Sequence, residues 1–125
     1  MCFKYLTALS LALPFILAPY RNAAWAHAYP AVSVPANNAT LKEPPREVRI
    51  QFTEGVEIEF SQISVKGPGG ELVSDGKLRR LGDDTVVIGL KALRPGNYTI
   101  EWQVLSVDTH VTDGVLRFSV SGGGK

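Results

Sequence analysis

The sequence is poor in sulfur, with one cysteine, Cys2, and one methionine, Met1, both at its start. Beyond them no disulfide can form, and no thiolate or thioether is on hand for a soft metal. Charge of one sign is also lacking. Thirteen lysines and arginines stand against 12 aspartates and glutamates, a formal net charge of +1, with no run of like charge. A nucleic-acid partner, which needs a basic patch to neutralise phosphates, is therefore not expected. No stretch after the first 26 residues keeps a helical period, and no internal repeat is present. The one long apolar run, Leu6 to Leu17, falls short of the ~20 residues that a membrane-spanning helix needs. Histidine is scarce as well: His27 and His110 are the only two.

The apolar run has the surroundings of a secretory leader. Lys4 precedes it, and Ala24-Trp25-Ala26 follows with the A-x-A form that a signal peptidase reads. The expected organisation is a cleaved signal peptide over 1–26, one domain over 27–120 and a flexible glycine-rich tail over 121–125. A short membrane anchor is the other reading of the first segment. Cleavage would make His27 the first residue. It would remove Lys4 and Arg21, leaving 11 basic and 12 acidic side chains, and both sulfur-bearing residues. The remaining 99 residues are expected to bury enough surface to fold without staples.

From Tyr29 onward, short alternating segments are separated by turn residues, a pattern of β-strands. Val48, Ile50 and Phe52 alternate with Arg49, Gln51 and Thr53, one apolar face and one wet face. Ile58 and Phe60 lie on even positions but Ile63 and Val65 on odd ones, which predicts a β-bulge near Ser61-Gln62. Leu72 to Leu81 is weakly patterned and suits short edge strands. Thr85 to Leu90 is a further strand. Tyr98 to Val107 is expected to be the longest, with Ile100, Trp102 and Val104 inward. Asp113-Gly114 reads as a hairpin turn, and Val115 to Val120 closes the domain. The fold class expected is all-β: an immunoglobulin-like Greek-key β-sandwich or barrel of about seven strands. The Cys…Trp…Cys signature of antibody domains is absent.

The chemistry concentrates on the histidines. A processed His27 would offer its α-amine and its ring nitrogen to one metal ion. Asp108 and His110 are two apart on what reads as the end of the long strand, so both should project from one face. Three nitrogens and one oxygen suit Cu(II), which favours tetragonal N/O ligation. Each feature alone has a plainer explanation. A histidine can fall at a cleavage site by accident, and an aspartate near a turn commonly caps backbone N–H groups. The fold is expected not to depend on the terminus. No Ser-His-Asp set or carboxylate pair is placed for catalysis, so no enzyme is expected. Asn38-Ala39-Thr40 and Asn97-Tyr98-Thr99 match the glycosylation sequon but are ordinary turn sequences.

At His27-Ala28, at Ala36 to Leu41, at Pro45 to Val56, and above all at Pro95-Gly96-Asn97-Tyr98 … Trp102 … Ser106-Val107-Asp108-Thr109-His110 … Gly114 … Phe118, the chain resembles the periplasmic copper resistance CopC family, which includes PcoC and YobA-like proteins. The resemblance runs from His27 to Val120. It implies a periplasmic, monomeric carrier or buffer that binds one Cu(II) per chain through His27 (amine and imidazole), Asp108 and His110. A CopD-like inner-membrane copper transporter is the implied partner. The resemblance also points to Glu54 as an axial or supporting group. Some relatives carry a methionine-rich Cu(I) loop, but Lys66 to Asp84 here holds no Met or His, which implies a Cu(II)-only member. Two other readings stay open: a histidine-brace copper oxidase of the lytic polysaccharide monooxygenase kind, and an immunoglobulin-like binding module without metal.

Overall fold

A computed structural model describes Pro14 and residues 27–122. The rest of the expected signal peptide and residues 123–125 of the expected tail lie outside the described residues. Those described contain no helix and eight strands: β1 (Pro30–Val34), β2 (Ala39–Leu41), β3 (Glu47–Phe52), β4 (Val56–Lys66), β5 (Ser74–Arg80), β6 (Thr85–Leu90), β7 (Gly96–Ser106) and β8 (Val111–Val120). They form two four-stranded sheets, in the orders β1-β3-β6-β5 and β2-β8-β7-β4. The expected all-β sandwich is what the chain forms, with one strand more than anticipated. The addition is β2, three residues paired in parallel with β8 from Ala39–Phe118 to Leu41–Val120. So short a strand carries no readable alternation.

Alternation decides what lies between the sheets. Val48, Ile50 and Phe52 of β3 are buried, as are Tyr98, Ile100, Trp102 and Val104 of β7 and Phe118 and Val120 of β8. Each such side chain contributes about 1.5–3 kcal/mol when it leaves water. Phe52 of one sheet meets Trp102 of the other edge-on, ring centroids 5.5 Å apart. Tyr98 stacks on Phe118 at 5.2 Å and donates its hydroxyl to the Arg94 carbonyl at 2.5 Å. That is the tyrosine corner which ties a sandwich strand to the chain entering it.

The predicted irregularity in β4 is present and larger than one residue. Glu57 pairs with Leu105 and Gln62 with Gln103, so residues 58–61 stand opposite Val104 alone. Inside the bulge the buried Ser61 donates to the Glu57 carbonyl at 2.7 Å and accepts from the Leu105 amide at 3.1 Å. Phe60, expected on the apolar face, is instead 70% exposed.

Asp113-Gly114 is not a turn. Both residues lie inside the β7–β8 ladder, opposite Gln103 and Trp102. Glycine is required there because the Trp102 ring lies across it. A Cβ at Gly114 would meet Trp102 Cζ2 at 2.6 Å.

On one flank the sheets are sewn together. The Val73 amide donates to the Val65 carbonyl, the Val65 amide donates to Ser74 Oγ, and Arg80 Nη2 reaches the Val56 carbonyl at 2.6 Å. On the other flank β1 is an edge strand that opens at Pro30 and ends before Pro35. Its register breaks between Pro30 and Val32, and Val32 and Val34 are exposed.

Candidate metal centre

Pro30 pairs with Phe52, Val56 with Ser106, and Leu105 with Val111, which gathers the ends of β1, β3, β4, β7 and β8 at one pole of the sandwich. Two segments meet there: the arm His27-Ala28-Tyr29 and the β7–β8 turn.

The arm is stitched to both sheets. Just after β3, Thr53 Oγ1 donates to the His27 carbonyl at 3.0 Å and accepts from the Tyr29 amide at 3.0 Å, and the Thr53 amide donates to the Tyr29 carbonyl. From β8 in the other sheet, Thr112 Oγ1 donates to the Ala28 carbonyl at 2.6 Å, and Ala28 is fully buried. This corrects the expectation that the fold does not depend on the terminus: residue 28 belongs to the core.

The β7–β8 turn works differently from the strand pleat expected at Asp108 and His110. The Ser106 amide donates to the His110 carbonyl at 2.9 Å and the Thr109 amide to the Ser106 carbonyl at 2.9 Å, so the chain reverses over Val107–Thr109. Thr109 sits at a φ of 72°, in the left-handed region that β-branched residues rarely adopt. Asp108 and His110 converge because of this turn. Ser106, almost wholly buried, lies beneath it. Its hydroxyl has Asp108 Oδ1 and the His110 carbonyl as acceptors and receives the His110 amide at 3.4 Å.

The outcome is one compact group. His27, Asp108 and His110 each present a ligand atom, and these atoms lie within 4.8 Å of one another. The imidazole centroids are 4.8 Å apart at 71°, and His110 Nδ1 is 3.3 Å from Asp108 Oδ1. The histidines are half-buried and Asp108 is exposed. The Ser106 hydroxyl, aided by the His110 amide and ring, holds the Asp108 carboxyl below the usual aspartate range against the opposing pull of desolvation. A carboxylate kept ionised beside two imidazoles is a donor set for a divalent first-row metal. Residues 27–122 contain no Cys or Met, so they offer no soft ligand.

Glu54 does not belong to this group, which is the one such cluster among the described residues. It lies between β3 and β4, flanked by Thr53, which holds the arm, and by Gly55, whose carbonyl accepts the Val107 amide at 3.0 Å. Three contributors were not read from the sequence: Thr53, Ser106 and Thr112. Thr112 had a signal. Followed back from Phe118, the inward parity of β8 reaches a threonine at 112, a polar residue at a core position.

The sequence matches the CopC domain family over residues 31–121. That span contains Asp108 and His110 and begins after His27. The chain is 38% identical over 99 residues to protein YobA of Escherichia coli (strain K12), covering 77% of this chain and 80% of YobA. It is 35% identical over 99 residues to the copper transport protein CutJ of Bacillus subtilis (strain 168), over 77% of this chain but 18% of CutJ. The crystal structure of CopC from Methylosinus trichosporium OB3b superposes with a TM-score of 0.70 at 25% identity, covering 79% of this chain and 98% of that one.

Proposed function

Because the chain belongs to the CopC family, we propose that it is a periplasmic copper carrier or buffer serving copper resistance or homeostasis. It binds one Cu(II) through the α-amine and imidazole of a processed His27, with Asp108 and His110. The observation that carries this reading is the convergence of His27, Asp108 and His110. Two histidines far apart in sequence, the only two in the chain, meet beside an ionised carboxylate. Nitrogen donors with one carboxylate oxygen favour Cu(II), which also heads the divalent affinity order. The absence of sulfur from residues 27–122 disfavours Cu(I). The name of the relative CutJ, a copper transport protein, agrees with copper as cargo.

The carrier reading is preferred to a histidine-brace oxidase on the same donor set. Asp108 stands among the ligand atoms and would occupy a position that oxygen needs. A CopD-like membrane transporter is the proposed exchange partner of the monomer. Glu54, at the mouth of the arm, is proposed only as a supporting carboxylate.

The free amine is the sharpest test. An α-amino group titrates at about 7.7–8.0, so copper displaces its proton near neutrality and then gains a chelate ring. A Gly-Ser extension before His27 turns the amine into an amide nitrogen, a far poorer donor. Protein beginning at His27 is expected to hold Cu(II) about tenfold or more tightly than the extended form, measured by competition with a chromophoric chelator. Equal affinities would remove the amine from the site.

A further inference from the structure

We propose that Ser106 is the positioning residue of the metal centre, its buried hydroxyl setting the turn so that Asp108 presents one oxygen to the metal. This rests on the copper reading above and adds a residue to it.

Ser106 is the last residue of β7 and is 1% exposed. A hydroxyl that deep needs partners, and every partner it has belongs to the turn. The acceptors are Asp108 Oδ1 and the His110 carbonyl at 3.1 Å, and the donor is the His110 amide at 3.4 Å. The backbone of Ser106 also closes the reversal through the His110 carbonyl and the Thr109 amide. One residue therefore touches both Asp108 and His110 while Thr109 is held at φ 72°. The hydroxyl, the His110 amide at 3.3 Å and His110 Nδ1 at 3.3 Å all crowd on Oδ1. The other oxygen, Oδ2, is the one assigned to the ion. An anchored carboxylate that binds through its other oxygen contributes a single oxygen ligand, in keeping with the N/O set that Cu(II) favours. Groups that orient metal ligands in this way typically change affinity 10–100-fold when removed.

The test uses protein beginning at His27 and the variants Ser106→Ala and Ser106→Thr. Ser106→Ala is expected to lower Cu(II) affinity about 10–100-fold and to shift the copper paramagnetic resonance spectrum, while Ser106→Thr, which keeps the hydroxyl, restores both. In the copper-free protein the His110 amide is expected to exchange with deuterium faster in Ser106→Ala, with the rest of the β7–β8 ladder still protected. Wild-type affinity and spectrum in folded Ser106→Ala would overturn the assignment. Should Ser106→Ala not fold, Ser106→Thr carries the test: a wild-type spectrum supports the proposal and an altered one in folded protein overturns it. If the parent protein binds no Cu(II), the copper reading fails by itself. The exchange comparison then still decides whether Ser106 sets the turn.

Discussion

At Asp108 the neighbours of one carboxylate set the acid behaviour of the candidate metal centre. The Ser106 hydroxyl is the largest of the causes that hold its carboxyl below the usual range, followed by the His110 amide. Because the value is lower in the folded than in the unfolded chain, the resulting stabilisation is present above the ordinary aspartate value of about 3.9 and fades as pH falls through the folded value. In the copper-free protein, a carboxyl-detected magnetic resonance titration is expected to place the Asp108 midpoint below that of an ordinary aspartate. Asp108→Asn should flatten the acid dependence of unfolding below about pH 4. A midpoint at or above the ordinary value would contradict the hydrogen bonding described. At this scale the sequence draws attention to His27, Asp108 and His110, which the fold brings together, because rarity makes a histidine conspicuous and Asp-Thr-His is compact. It did not single out Ser106, since a serine before a turn looks the same whether it faces water or the carboxylate of its own turn.

Among the strands, legibility followed how strictly each obeys period two. β3 and β7 present unbroken alternation and are legible from Val48, Ile50 and Phe52 and from Ile100, Trp102 and Val104. The β7–β8 turn does not fall where Asp113-Gly114 points, because Asp-Gly is the stronger local turn signal and the pressure on Gly114 comes from a ring on another strand. In β4 the parity switch was visible, but its size was not, since the bulge is set by what Ser61 bonds rather than by apolar pattern. Ser61→Ala is expected to cost about 1–3 kcal/mol, because the Glu57 carbonyl and Leu105 amide lose their shared partner in a buried place. Chemical denaturation should show this as a lower midpoint at unchanged slope. An unchanged midpoint would mean that water replaces the hydroxyl without loss.

For the molecule as a whole, the arm is the member that the sequence hid. Its contacts, Thr53 with His27 and Tyr29 and Thr112 with Ala28, span 24 to 84 residues of chain, a distance that no local pattern reports. They hold the arm in place, Thr53 beside one sheet and Thr112 in the other. Thr112→Val keeps the shape and removes the donor. It is expected to cost about 1–3 kcal/mol by leaving the buried Ala28 carbonyl unsatisfied. Hydrogen exchange should then quicken at the Tyr29 amide more than in the β3–β6 ladder. Equal protection in the two proteins would show that Thr53 alone secures the arm.

The proline-bracketed edge of β1 has a consequence for life at high concentration. A free strand edge bearing Val32 and Val34 offers a template on which neighbouring chains could stack and aggregate. Pro30 and Pro35 frame it, and the broken register at its start confines the uninterrupted pairing to Val32–Val34. Three residues are too few to nucleate a steric zipper, which takes about six. The edge that Pro30 and Pro35 frame is therefore too short a template to seed a fibril.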